Sequence, residues 1–95
     1  MLAKAAAAAR LLRVLGNEKR LLVLCHLVAG EHGVGALADA VGLSQPALSQ
    51  HLAVLRDSGL VTTRRDAQAI FYRTADPKVA KALRLLHRLY CAPSH

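Results

Sequence analysis

Tryptophan is absent from this 95-residue chain, and two tyrosines and one phenylalanine bring the aromatic share to only 3%. A core built on stacked rings is therefore excluded. With 54% of residues hydrophobic, the interior must be Leu, Val and Ala, packed mainly as helices. Acidic residues are scarce too, six against 13 basic ones, for a formal charge of +7. No pair of carboxylates stands at a spacing useful for acid–base work. No Ser/His/Asp set or phosphate-binding glycine loop occurs, and Gly30, Gly33 and Gly35 do not make one. An enzyme is not the expectation. Long apolar runs are also missing. The Ala5–Ala9 tract, flanked by Lys4, Arg10 and Arg13, is too short for a signal-peptide core or a bilayer span, which points to the cytoplasm.

The basic excess points to a polyanion, either nucleic acid or an anionic membrane surface. The length allows one domain, residues 1–95, with a modest core. Its high apolar content leaves surface over, and a second subunit is the simplest cover for it. Two cysteines remain, Cys25 and Cys91. In a reducing compartment they are either inert thiols or a redox couple.

Periodicity divides the chain into helix, helix, helix-turn-helix, hairpin and helix. Residues 3–14 are an Ala-rich helix with Leu11, Leu12 and Leu15 as an apolar patch, ended by Gly16. Asn17 suits the N-cap of a second helix, in which Leu21, Leu24, Cys25 and Val28 recur as an inward stripe. On that stripe Cys25 reads as a small core hydrophobe. Gly30 and Gly33 frame a turn around Glu31 and His32. A short helix over Val34–Val41, with Leu37, Ala38 and Val41 inward, stops at Gly42. Ser44 caps a fourth helix from Gln45 to about Ser58, with Pro46 in its first turn and Leu48, Leu52 and Leu55 facing the core. Gly59 stops it. Residues 60–65 and 69–73 flank Asp66-Ala67-Gln68 as a β-hairpin. Asp76-Pro77 opens a last helix to about Cys91, with Val79, Ala82, Leu83, Leu86, Leu89 and Tyr90 on its apolar arc.

A short helix, a tight turn at Gly42 and a second helix with a polar outer face match the needs of a helix-turn-helix entering a major groove about 12 Å wide. At roughly 100° per residue from Leu48, Pro46 and Gln50 fall opposite the Leu stripe and Ser49 lies on the flank. Gln45, Ser49 and Gln50 are the expected reading residues, since Gln pairs with adenine N6 and N7. Ser44 belongs to the same end but reads first as a cap, and His51, beside the Leu stripe, as structural. The hairpin carries Arg64, Arg65 and Arg73, with Gln68 near its tip. Beside a recognition helix it reads as a wing meeting phosphate or the minor groove; a solvated edge hairpin guarded by charge is the bland alternative. Arg20 sits in the first turn of the second helix, against the helix dipole. A phosphate contact would explain that, and so would an ion pair with Glu18 or Asp39.

Three segments in order, Leu15-Gly16-Asn17-Glu18-Lys19-Arg20-Leu21, Leu43-Ser44-Gln45-Pro46-Ala47-Leu48-Ser49-Gln50-His51-Leu52 and Gly59-Leu60-Val61-Thr62-Thr63-Arg64-Arg65, resemble the ArsR/SmtB family over nearly the whole chain. The resemblance implies a mainly α winged helix-turn-helix (α-α-α-α-β-β-α). It also implies a homodimer through the first and last helices, binding double-stranded DNA at an imperfect palindromic operator as a transcriptional regulator of the repressor kind. The stretches from Arg64 to Tyr72 and from Leu85 to Cys91 are similar to the HlyU, BigR and SqrR-type thiol-sensing subgroup. Those members carry one Cys in the second helix and one near the end of the last, the places of Cys25 and Cys91. The likeness thus implies that a disulfide, or a sulfur-bridged link from persulfide, joins this pair. The family's metal motifs are poorly matched: residues 34–39 hold no Cys, and Asp76, His87 and His95 do not repeat the metal-binding spacing. No cofactor or metal is expected. A metal-responsive repressor and a DNA-binding regulator with no working sensor stay as alternatives. A constitutive architectural or membrane-surface protein is disfavoured by the helix-turn-helix and wing.

Overall fold

The structure, a computed structural model, describes residues 2–91. A 3₁₀ turn at Leu2–Lys4 leads into α1 (Ala5–Leu15), followed by α2 (Glu18–Ala29), β1 (His32–Gly33), α3 (Val34–Val41), α4 (Gln45–Asp57), β2 (Val61–Asp66), β3 (Ala69–Thr74) and α5 (Pro77–Tyr90). The helices begin where polar caps stand. Asn17 accepts from the backbone N–H groups of Lys19 and Arg20, Ser44 from Ala47 and Asp76 from Lys78, each satisfying donors that a helix start leaves free. Gly42 ends α3 in the left-handed region at φ 71°, where a side chain would be strained. That turn is what redirects the chain from α3 into α4.

Leu24, Leu37, Leu48, Leu52, Leu55, Val23 and Val79 are the largest fully buried side chains. They come from α2, α3, α4 and α5, so the core is aliphatic and shared among helices. The sheet has three strands in the order β1-β3-β2, all antiparallel. Ala67 and Gln68 join β2 to β3, with Ala67 at φ 55°.

Three expectations require correction. Residues 31–33 do not form only a turn: His32 and Gly33 pair with Tyr72 and Phe71 as a third strand. Two residues carry no alternation to be read, and the pairing depends on a strand about 40 positions away in sequence. In α2 the deepest row is Val23, Leu24 and Leu27, while Leu21 and Val28 are half-buried and Cys25 is exposed. This helix packs against α3, α4, α5 and β3 together, and that enclosure draws in the adjacent row. Cys25 is therefore not a core residue. In the last helix, Leu89 and Tyr90 are exposed at 65% and 82%, because α5 lies against the body only through Val79 and Leu83, with Ala82 and Leu86 at the margin. Leu12 of α1 is likewise exposed.

Candidate nucleic-acid interface and thiol cleft

The buried Leu48, Leu52 and Leu55 anchor one side of α4. The opposite side is thereby turned to solvent, and Gln45, Pro46, Ser49 and Gln50 are all exposed. Ser44 is exposed as well, its Oγ 3.3 Å from the Ala47 N–H it accepts. His51 is half-buried, between the two faces. The α4 start thus presents two amides and a hydroxyl on a rigid element.

The three hairpin arginines have different surroundings. In the β2–β3 register Thr62 lies across from Arg73 and Arg64 across from Phe71, whereas Arg65 lies across from Ile70. Strand alternation places Arg64 and Arg73 on one face and Arg65 on the other. Arg64 is held. Its guanidinium donates to both carboxylate oxygens of Glu31, with Nε 3.1 Å from Oε2. Its Nη1 lies 3.7 Å from Asp66, and its Cζ lies 4.8 Å over the Phe71 ring. The hydrogen bond from Arg64 is the main reason that the Glu31 carboxyl is lowered from its ordinary value, with the charges of Arg64 and Arg73 adding to it against some desolvation. Arg65, Gln68 and Arg73 are exposed and make no side-chain hydrogen bond or ion pair among the described residues. Sequence reasoning took the arginines as equivalent and missed Glu31, whose role depends on a contact across 33 positions.

Arg20 also has a structural partner. Its Nε donates to the Val14 carbonyl at 2.8 Å and its Nη2 to the Arg13 carbonyl at 3.3 Å. These are carbonyls that the end of α1 leaves open. Neither the phosphate contact nor an ion pair with Glu18 or Asp39 is needed to account for its place.

Cys25 and Cys91 come together. With Leu21, Leu83, Leu86, His87 and Tyr90 they line one cleft of about 230 Å³ between α2 and the end of α5. Cys25 is exposed as a residue, but the cleft walls partly desolvate its thiol and push it up from its ordinary value, and the neighbouring Cys91 charge pushes it further. A larger hollow of about 480 Å³ opens beneath α1, against Leu60 and Asp76, but neither thiol lines it. Among the described residues no three His, Cys, Asp or Glu side chains gather into a metal-sized group; His95 lies outside those residues. No described helix is long and apolar enough to cross a membrane.

A helical core carrying a capped, outward-facing second helix beside an arginine-bearing hairpin defines a winged helix-turn-helix regulator of transcription. Residues 17–63 match the family model described as bacterial regulatory protein, arsR family. The transcriptional activator HlyU of Vibrio cholerae serotype O1 is 52% identical over 81 residues, which cover 85% of this chain and 75% of its own. The crystal structure of the transcriptional repressor BigR from Xylella fastidiosa superposes with a TM-score of 0.92 at 44% identity, over 98% of this chain and 95% of that one. The homodimeric winged helix-turn-helix domain Mb0332 from Mycobacterium bovis gives a TM-score of 0.79 at 34% identity, over 97% of this chain and 91% of that one. This chain belongs to the arsR family of bacterial transcription regulators, and it is not an enzyme.

Proposed function

We propose that this chain is a cytoplasmic homodimeric repressor of an imperfect palindromic operator, and that a link between Cys25 and Cys91 controls its grip on DNA. The observation that carries the reading is the shared cleft: thiols 66 positions apart in sequence line one hollow between two helices. The exposed Leu12, Leu89 and Tyr90 on α1 and α5 are apolar side chains that a partner subunit docked on these helices would cover. The homodimeric relative supports the dimer.

Gln45, Ser49 and Gln50 read bases, with Ser44 at the same helix start serving chiefly as the cap. Arg65, Gln68 and Arg73 meet the backbone or the minor groove. Arg64 shapes the wing that carries them, and Arg20 secures α1 instead of contacting phosphate. Two recognition helices must sit about one DNA turn apart, roughly 34–36 Å. Oxidation of the two thiols to a disulfide transfers two electrons to the oxidant and releases two protons. The bond draws α2 against α5, tilts the dimer helices and disturbs that spacing. A coupling of about 1–3 kcal/mol changes affinity about 5–150-fold.

Operator binding of the reduced and oxidised protein, alongside Cys25→Ser and Cys91→Ser, tests the switch. Oxidation is expected to weaken binding by the native chain and to leave both variants unaffected. An oxidative response that survives in both variants removes the thiol pair. A native chain that forms the bond without any change in binding is a regulator whose sensor does not work.

A further inference from the structure

The larger hollow, beneath α1, takes no part in the switch. Its floor is apolar. Leu60 is buried there, Leu11 and Val14 are half-buried, and Ala7 and Ala8 keep the space open by being small. Its rim is cationic, with Lys4, Arg10 and Lys78. The one acid of the lining, Asp76, is already engaged. Its Oδ1 accepts from the Lys78 backbone N–H at 2.9 Å and lies 3.5 Å from the Lys78 Nζ. Lys4 and Arg10 make no side-chain hydrogen bond or ion pair among the described residues. Helix α1 packs against α2, and the hollow is the gap where it stands off from the start of α5. Leu12, the exposed apolar residue of α1, does not line it. That side chain stands about 100° round the helix from Leu11, so the surface left for a partner subunit and the hollow use different arcs of α1.

At about 480 Å³ the space falls within the roughly 300–1,000 Å³ of ligand pockets. It is about three times the roughly 150 Å³ of a cavity that holds benzene, which leaves room for a body of one or two rings. A neutral molecule gains nothing from the rim, and a bare inorganic anion gains nothing from the floor. An amphipathic anion uses both, and a planar carboxylate suits the fork of Arg10. We infer that this hollow is a binding site for a small aromatic or alkyl monocarboxylate. Its apolar body rests on Leu11, Val14 and Leu60, and its carboxylate faces Arg10, Lys4 and Lys78. The ligand bridges α1 to the start of α5 without involving either thiol, so this site and the switch stand or fall separately.

The test is titration of the reduced full chain, free of DNA and at low salt, with naphthoate and its uncharged counterpart naphthamide, read by calorimetry and by amide NMR shifts. Naphthoate is expected to bind about tenfold more tightly, equivalent to about 1.4 kcal/mol, with shifts centred on residues 7–14, 58–60 and 76–78. Added salt should narrow the gap. Arg10→Gln, at an exposed position, should remove most of the preference while the weaker neutral binding stays. Ala8→Leu should fill the hollow and weaken both probes with the melting temperature kept. Equal affinities for the two probes, shifts centred on the thiol cleft or on α4, or no binding at millimolar naphthoate overturn the site. Binding that weakens as the chain concentration rises gives the hollow to a second copy and overturns it as well.

Discussion

Arg64 on β2 and Glu31 ahead of β1 are joined by two hydrogen bonds, with the guanidinium stacked on Phe71 of the strand between them in the sheet. The pair ties the root of the wing to the loop that follows α2. A planar guanidinium does this better than an ammonium, because its fork matches both carboxylate oxygens and its face lies flat on a ring. The wing is thereby fixed to the body on the face that carries Arg64.

Glu31→Gln should loosen this connection. Amide exchange in residues 61–74 is expected to accelerate while the α4 amides stay protected, and operator affinity should fall with the fold intact. The native pair has its own pH window. The Glu31 carboxyl is lowered in the folded chain, so its contribution is complete above the ordinary carboxylate range. It is lost as pH falls through the lowered folded value. Proton-dependent loosening of the wing should appear on that acid side in the native chain and be absent from Glu31→Gln.

Gln50→Ala and Arg65→Ala should separate reading from holding. The first is expected to cost about 1–3 kcal/mol at the operator and to relax the preference at one base pair, with little effect on random DNA. The second should weaken binding to all sequences about equally and lower the salt slope by about one per subunit, about two for the dimer. Titration of operator and random duplexes across salt concentrations distinguishes the two.

Arg20→Met should lower stability by about 1.5 kcal/mol, the lower end for hydrogen bonds from a charged donor, because the side chain is only half-buried. Its salt slope on DNA should match the native chain. A slope reduced by about one per subunit would return Arg20 to the phosphate contacts.

The alkylation rate of Cys25 should rise through a midpoint above the ordinary thiol range, since burial and then the Cys91 charge both raise it. In Cys91→Ser the midpoint should move down yet stay raised, because burial is the larger cause. The sign for stability follows. The unfolded chain ionises this thiol first, so stability falls as pH climbs past the ordinary thiol range, and the fall is complete above the raised folded value. Denaturant titrations over that range measure it against Cys25→Ser.

Local signals carried most of the fold. Asn17, Ser44 and Asp76 mark helix starts through polar atoms that need no distant partner, and Leu48, Leu52 and Leu55 define an inward face by spacing alone. For the same reason the exposed Gln45, Ser49 and Gln50 were legible as their complement. The misses are all non-local. A two-residue strand has meaning only beside β3, and Arg64 is distinguished from Arg65 only by Glu31 and Phe71. The depth of Cys25 depends on which row of α2 the surrounding elements enclose. The family likeness placed Cys25 and Cys91 in corresponding helices, but the apolar lining of their cleft comes from folding α2 onto α5.

Helix α2 touches both ends of the chain at once. Through Arg20 it grips the last carbonyls of α1, and through Cys25 it borders the end of α5. A bond that drags its Cys25 side toward α5 therefore tugs at α1 by a second handle. In the proposed switch the message would leave each subunit along two arms, and severing the Arg20 grip would leave a bond that closes yet transmits through one arm alone.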